Sequence, residues 1–177
     1  MIFGRLGVIQ RDQRGLTLVE LLIAIALAGA VTSGITMTIF QVFNVNSRTS
    51  NHMVAIRQVQ HAGKQVSQDL LQAKHIVPEN DPDTPELLTL NWTDWDNARH
   101  GIVYTLEDMP SGEFGILWRR HYINSSLDST TKVAEYIDPD QTSCVPAVGA
   151  FNFMVTANVS GQSETRVYEV MPRSGSQ

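Results

Sequence analysis

The sequence predicts an α+β protein, one long N-terminal helix followed by an antiparallel β-sheet. Three observations predict it. No proline interrupts the 62 residues from Leu16 to Val77, and Pro78 then ends the pattern. Through the second half of that stretch Ile56, Val59, Gly63, Val66, Leu70, Ala73 and Val77 recur at alternating spacings of three and four. That is one face of an amphipathic helix. Beyond Pro78, short alternating apolar runs are separated by turn residues, which is the pattern of a meandering sheet.

The averages of the 177-residue chain, 42% hydrophobic with a net charge of −5, exclude a disordered tail. A single cysteine excludes a disulfide scaffold. The negative charge is the wrong sign for a nucleic-acid binder held by electrostatics. These averages hide three segments. Residues 1–15 carry Arg5, Arg11 and Arg14 against Asp12, a net of +2. Residues 16–77 carry Arg48, Arg57, Lys64 and Lys74 against Glu20 and Asp69, again +2. Residues 78–177 hold 6 basic and 15 acidic side chains, a net of −9.

No ionisable residue occurs in the 27 positions from Leu21 to Ser47. A helix of about 20 mostly apolar residues spans a bilayer, so residues 16–47 read as a membrane segment. The basic leader, residues 1–15, would stay in the cytoplasm and the acidic head, residues 78–177, would be exported. Residues 48–77 form the amphipathic continuation, with a free coiled coil as the alternative. Small residues recur four apart in the span at Ala24/Ala28, Ala26/Ala30, Gly29/Ser33 and Ala30/Gly34. Such rows let helices pack closely in lipid, or are ordinary alanine-rich filler.

Three anchors fit this layout. A Sec signal peptide would end at Ala28-Gly29-Ala30, and a plain signal anchor would stay uncleaved. Neither has a use for Glu20, whose carboxylate costs about 2.5–3.5 kcal/mol deep in a bilayer. A lipoprotein is excluded because no cysteine lies near the N-terminus.

The third reading accounts for the glutamate. The string Arg14-Gly15-Leu16-Thr17-Leu18-Val19-Glu20-Leu21-Leu22, ahead of a long apolar run, resembles the class III signal of type IV pilins and pseudopilins. The resemblance implies a pilin-like fold and cleavage by a prepilin peptidase between Gly15 and Leu16, with N-methylation of Leu16. It also implies that Glu20 is the assembly contact, pairing with the N-terminal amine of a neighbouring subunit. Implied partners are the peptidase, other pilin or pseudopilin subunits and an inner-membrane assembly platform. The helix packing set would be Ala24, Ala28, Gly29, Ala30, Ser33 and Gly34. The implied location is the inner membrane as a single-pass precursor, then a pilus or pseudopilus.

Several features depart from the family. The first mature residue is Leu16 where phenylalanine is commoner, and the leader is long. Met37 stands where many members have a mid-helix proline, leaving Gly29 and Gly34 as the weak points of the span. The head lacks a cysteine pair and a match to the calcium loop of the main pseudopilin. These two absences in the head point to a minor component, a minor pilin or a J-type minor pseudopilin.

In the head, residues 87–92, 101–106, 114–122, 133–137, 151–159 and 165–170 are expected as strands, and 79–86 as a loop. Three stretches, Trp92–Trp95, Val133–Ile137 and Thr165–Arg173, resemble parts of minor-pilin-like heads. No motif for nucleotide, metal or nucleophilic chemistry occurs, so neither a cofactor nor an enzymatic activity is expected. His52, His61 and His75 are too far apart on a helix to share a metal. His100, His121 and Cys144 are the residues that could meet in a folded head. Asp94, Asp96 and Asn97, or Asp81 and Asp83, suit Ca²⁺ but read as turn chemistry. Arg119-Arg120-His121 beside Trp118 is expected to pair with acidic neighbours across strands. The alternative function is an exported single-pass protein whose β-rich head binds a ligand or acts as an enzyme.

Overall fold

A computed structural model describes residues 17–78, 85–110 and 112–172. A helix, α1 (Leu18–Gln72), precedes β1 (His75–Pro78), β2 (Glu86–Thr93), β3 (Arg99–Asp108) and β4 (Gly115–Ile123). Then follow β5 (Ser126–Ile137), β6 (Ser143–Ala147), β7 (Ala150–Val159) and β8 (Gln162–Val170). All the strand pairs are antiparallel, so the expected α+β class is found. The chain divides into two compact units, one up to Val45 and one from Asn46 onward.

The first unit is the apolar part of α1. Its described residues are all exposed, and α1 is long and apolar enough to cross a membrane. The hydroxyls of Thr32, Ser33, Thr36 and Thr38 donate to carbonyls four residues earlier, at 2.8, 2.8, 2.8 and 2.9 Å. Each polar group is thus satisfied within the helix, as an apolar solvent requires. The helix runs unbroken through Gly29 and Gly34.

In the second unit the helix lies on the sheet. Ala55, Val59, Ala62, Gly63, Val66, Leu70 and Ala73 are buried against Leu88, Leu90, Ile102, Tyr104, Leu117, Phe153 and Val155. The predicted stripe therefore holds at Val59, Gly63, Val66, Leu70 and Ala73. Ile56 is only half-buried and Val77 is 49% exposed. Gly63 is the closest approach. A Cβ there would stand 2.0 Å from the Tyr168 ring, whose hydroxyl donates to the Val59 carbonyl at 3.2 Å.

The helix ends at Gln72, short of the expected Val77, and Val77 instead pairs with Thr89 in β1. Pro78 drives Val77 out of the α region, and the residues before it are taken by the ladder to β2. Lys74 N–H then donates to the Asn91 carbonyl at 3.0 Å and opens the β1–β2 ladder.

The sheet order is β1-β2-β3-β4-β5-β7-β6, with β8 on the other side of β7. The six strands expected from the sequence are β2, β3, β4, β5, β7 and β8. The sequence reading missed β1 and β6. Pro146 hid β6, yet a proline is tolerated in it because β6 pairs on one side only, with β7. Two-residue turns join β4 to β5 (Asn124, φ 50°, and Ser125, φ 68°) and β7 to β8 (Ser160, φ 50°, and Gly161, φ 80°). Positive φ at both positions matches the right-handed twist of a hairpin.

Cys144 is buried on β6, and burial pushes its thiol up to about 11. The unfolded thiol ionises near its ordinary value of 9.0, so the unfolded state loses the proton first. This group therefore contributes stability that is full below pH 9 and is lost as pH rises to about 11. Burial and the nearby Asp69 charge also raise the Tyr104 hydroxyl, with the same sign at higher pH. Between pH 8 and 10.5, urea unfolding should show a loss steeper in the native chain than in Cys144→Ala. The gap should be about 2 kcal/mol, from 1.36 kcal/mol per unit. Equal pH slopes in the two proteins would show that the thiol contributes nothing.

Candidate functional site

The helix start carries the residues expected to act in assembly. Gly15 and Leu16 lie outside the described residues. Thr17 caps the helix. Its hydroxyl accepts the Glu20 N–H at 3.2 Å and its carbonyl accepts the Leu21 N–H at 3.1 Å. Thr17 and Glu20 thus have the spacing of a capping box, N-cap threonine and N3 glutamate. A carboxylate in the first turn also suits the positive end of the helix dipole. Among the described residues no hydrogen bond or ion pair engages the Glu20 carboxylate, which is exposed. That leaves it open to a cation from outside the helix.

The six expected packing residues do not share one face. At about 100° per residue, Ala24/Ala28, Gly29/Ser33 and Ala30/Gly34 form three rows roughly 100–140° apart around the helix. Ala28, Gly29 and Ser33 line a shallow groove with Thr32 and Thr36, walled by Ile25, Met37 and Phe40. Ala24, Ala30 and Gly34 lie outside it. A helix packed here would meet small residues flanked by large apolar ones.

In the head, polar chemistry gathers on the face that meets α1. Asp69 is a carboxylate on the apolar stripe, 4% exposed. It accepts from Arg119 Nε at 2.6 Å, from Arg119 Nη2 at 3.3 Å and from the Tyr104 hydroxyl. Burial alone would lower the Arg119 guanidinium, but the Asp69 carboxylate outweighs it and the net shift is upward. Arg120 pairs with Glu107 and donates to Thr105 Oγ1 at 2.8 Å. His121 Nδ1 lies 3.1 Å from Asp128 Oδ2. Arg120 and His121 thus meet acids on adjacent strands as expected, while the partner of Arg119 comes from the helix. The sequence reading missed Asp69. Its three-residue step from Val66, in phase with the stripe, was the available signal.

His100 and His121 do meet, with Nδ1 to Nε2 at 3.1 Å, but Cys144 lies apart from them in the core on β6. Asp94 and Asp96 serve the β2–β3 turn. Asp96 Oδ1 accepts the Ala98 N–H at 3.0 Å, and Asp94 Oδ2 lies 3.2 Å from His100 Nε2. Among the described residues no cluster of three or more His, Cys, Asp or Glu side chains could hold a metal. Asp81 and Asp83 lie outside the described residues.

A family model described as the prokaryotic N-terminal methylation motif matches residues 10–36. The chain carries that motif. The match spans the Gly15–Glu20 string and the first half of the apolar helix, the segment on which the pilin resemblance rests. The motif and the long apolar helix are consistent with a type IV pilin-like protein anchored in a membrane, and the motif in general implies processing by a prepilin peptidase and assembly with other pilin subunits. No curated protein and no solved structure matches the chain.

Proposed function

We propose that this protein is a structural subunit, and a minor one, of a type IV pilus or type II secretion pseudopilus. Prepilin peptidase cleaves it after Gly15 on the cytoplasmic side of the inner membrane and methylates Leu16. The acidic head stands outside the cytoplasm, and the apolar helix carries the subunit from the bilayer into the filament. Its work is packing and register, with no catalytic step.

The observation that carries this reading is the methylation motif over residues 10–36, whose described part from Thr17 onward is a capped apolar helix on which, among the described residues, nothing pairs with the Glu20 carboxylate. Cleavage turns the amine of Leu16 into a cation at the start of that helix. An unpaired amine and an unpaired carboxylate are each expensive in low dielectric, and a pair offsets both costs. On one helix the two stand about 6 Å apart along the axis, so a neighbour shifted by that distance can bring its own amine level with Glu20.

Mass spectrometry of the N-terminus of the membrane-extracted protein tests the reading. The expected result is N-methylated Leu16. An N-terminus at Met1 or Val31 would overturn it in favour of an uncleaved anchor or a Sec signal peptide.

A further inference from the structure

We propose that the head carries a proton-gated clamp. The chain Asp94–His100–His121–Asp128 ties the β2–β3 turn to β5 only while the two imidazoles share one added proton. The clamp concerns the head alone and does not depend on the filament reading.

Strand register assembles the chain. Trp92 on β2 stands opposite His100 on β3, and His121 on β4 stands opposite Ile102, one diagonal step from His100 on the same face. On β5, Ser129 opposes His121 and Leu127 opposes Tyr122, so Asp128 is the extra residue of a bulge. A bulge re-aims a side chain, and here the Asp128 carboxylate reaches the His121 ring. The contacts run in series: Asp94 Oδ2 to His100 Nε2 at 3.2 Å, His100 Nδ1 to His121 Nε2 at 3.1 Å, and His121 Nδ1 to Asp128 Oδ2 at 3.1 Å. The imidazoles are within 11° of parallel, and the Trp92 ring lies 7° and 9° from them with centroids at 5.0 and 6.1 Å.

The proton count follows from these contacts. An ionised carboxylate only accepts, so both outer nitrogens, His100 Nε2 and His121 Nδ1, must carry N–H. A neutral imidazole has a single N–H. Two neutral rings therefore turn bare lone pairs on each other across 3.1 Å, or give up a carboxylate to avoid it. Two cationic rings turn N–H against N–H. All the bonds form only when three of the four ring nitrogens are protonated. That state holds one positive charge between two carboxylates and against an indole face, and both surroundings favour it.

The neighbouring charges are engaged or turned away. Arg119, two residues from His121 on the same face, is held by Asp69 of α1, and Lys74 donates to the Thr93 carbonyl at 3.5 Å. Arg99 and Arg120 alternate with His100 and His121, so they lie on the opposite face. His75 opposes Asn91 and so stands on the other face of β2 from Trp92.

The clamp holds a turn. Asp94 N–H donates to the Ala98 carbonyl at 3.0 Å and Asn97 N–H to the Asp94 carbonyl at 3.1 Å, presenting Trp95 at 95% exposure. With the chain complete, the Asp94 side chain is tied across β3 and β4 to β5. A second added proton breaks the middle bond and frees the turn and His100 from His121. Loss of the shared proton breaks the same bond from the other side.

The full-length chain in detergent, with nitrogen-15 in its histidine rings, tests this between about pH 8.5 and about pH 4.5, where imidazoles change charge. The expected result is a nitrogen–nitrogen coupling through the His100–His121 bond that peaks at intermediate pH and falls at least about threefold toward either end. His100→Gln and His121→Gln each assign the signal by deleting it. Amide exchange at Asp94 and Asn97, corrected for its intrinsic pH dependence, should be at least about fivefold faster at the acid end than at the peak. In His121→Gln that step should vanish. No coupling at any pH, or one that does not change with pH, would overturn the shared proton. Turn protection that stays constant while the coupling is lost would overturn the clamp.

Discussion

Glu20→Ala is expected to reduce incorporation into filaments at least about tenfold, while cleavage after Gly15 and methylation of Leu16 continue. On the proposed function the two events separate, because the peptidase would act on the leader junction, whereas the carboxylate would be needed only when a neighbour arrives. Removing it leaves the incoming amine unpaired at membrane depth. On insertion scales a charge there costs about 2.5–3.5 kcal/mol, and 1.4 kcal/mol already corresponds to tenfold in an equilibrium. Glu20→Ala leaves the Thr17 cap in place, since the Thr17 hydroxyl bonds a backbone N–H. Any defect is then one of assembly and not of helix formation. Sheared filament fractions and the N-terminal mass of the membrane-retained protein measure the two steps. Normal assembly of the Ala variant would show that Glu20 does not set register.

The second large effect is expected at Asp69. Asp69→Ala leaves the buried Arg119 guanidinium without its carboxylate partner and the Tyr104 hydroxyl without its acceptor. Breaking a buried pair by removing one partner costs about 3–5 kcal/mol. Arg119 keeps 18% of its side chain exposed, which puts the expectation near the lower end. Urea unfolding of the detergent-solubilised chain, followed by tryptophan fluorescence, should show the midpoint fall sharply. Asp69→Leu combined with Arg119→Met and Tyr104→Phe should recover at least half of the loss. The triple change removes the stranded polar groups along with the carboxylate. An unchanged midpoint for Asp69→Ala would mean the triad carries no stability.

Much of the fold was legible in the sequence because its signals are periodic and local. The stripe from Val59 to Ala73 needs only the 3.6-residue turn. The strands β2, β3 and β7 announce themselves by alternation at Leu88/Leu90/Trp92, by Gly101–Leu106 and by Phe151/Phe153/Val155. What failed locally failed for identifiable reasons. His75–Pro78 kept the helical spacing at Val77, but pairing with β2, a partner distant from the helical pattern, outweighed it. Pro146 argued against a strand until pairing on one side only made it harmless.

The candidate site divides in the same way. Gly15, Leu16, Thr17 and Glu20 are contiguous, so their relation could be read from order alone. The packing rows in the span were half legible. Four-residue spacing identified small pairs, but the rotation of the helix sets Ala24/Ala28, Gly29/Ser33 and Ala30/Gly34 on three separate rows.

By itself the sequence determined the anchor, the capped helix start with its glutamate, the amphipathic stem and the strand-rich head. Each is encoded in neighbours a few residues apart. Only the tertiary structure decided which distant side chains became partners. Asp69 meets Arg119 across 50 residues, Gly63 receives Tyr168, and His100 meets His121 across two strands. Those pairings depend on strand register and on where the helix crosses the sheet, which no local spacing records.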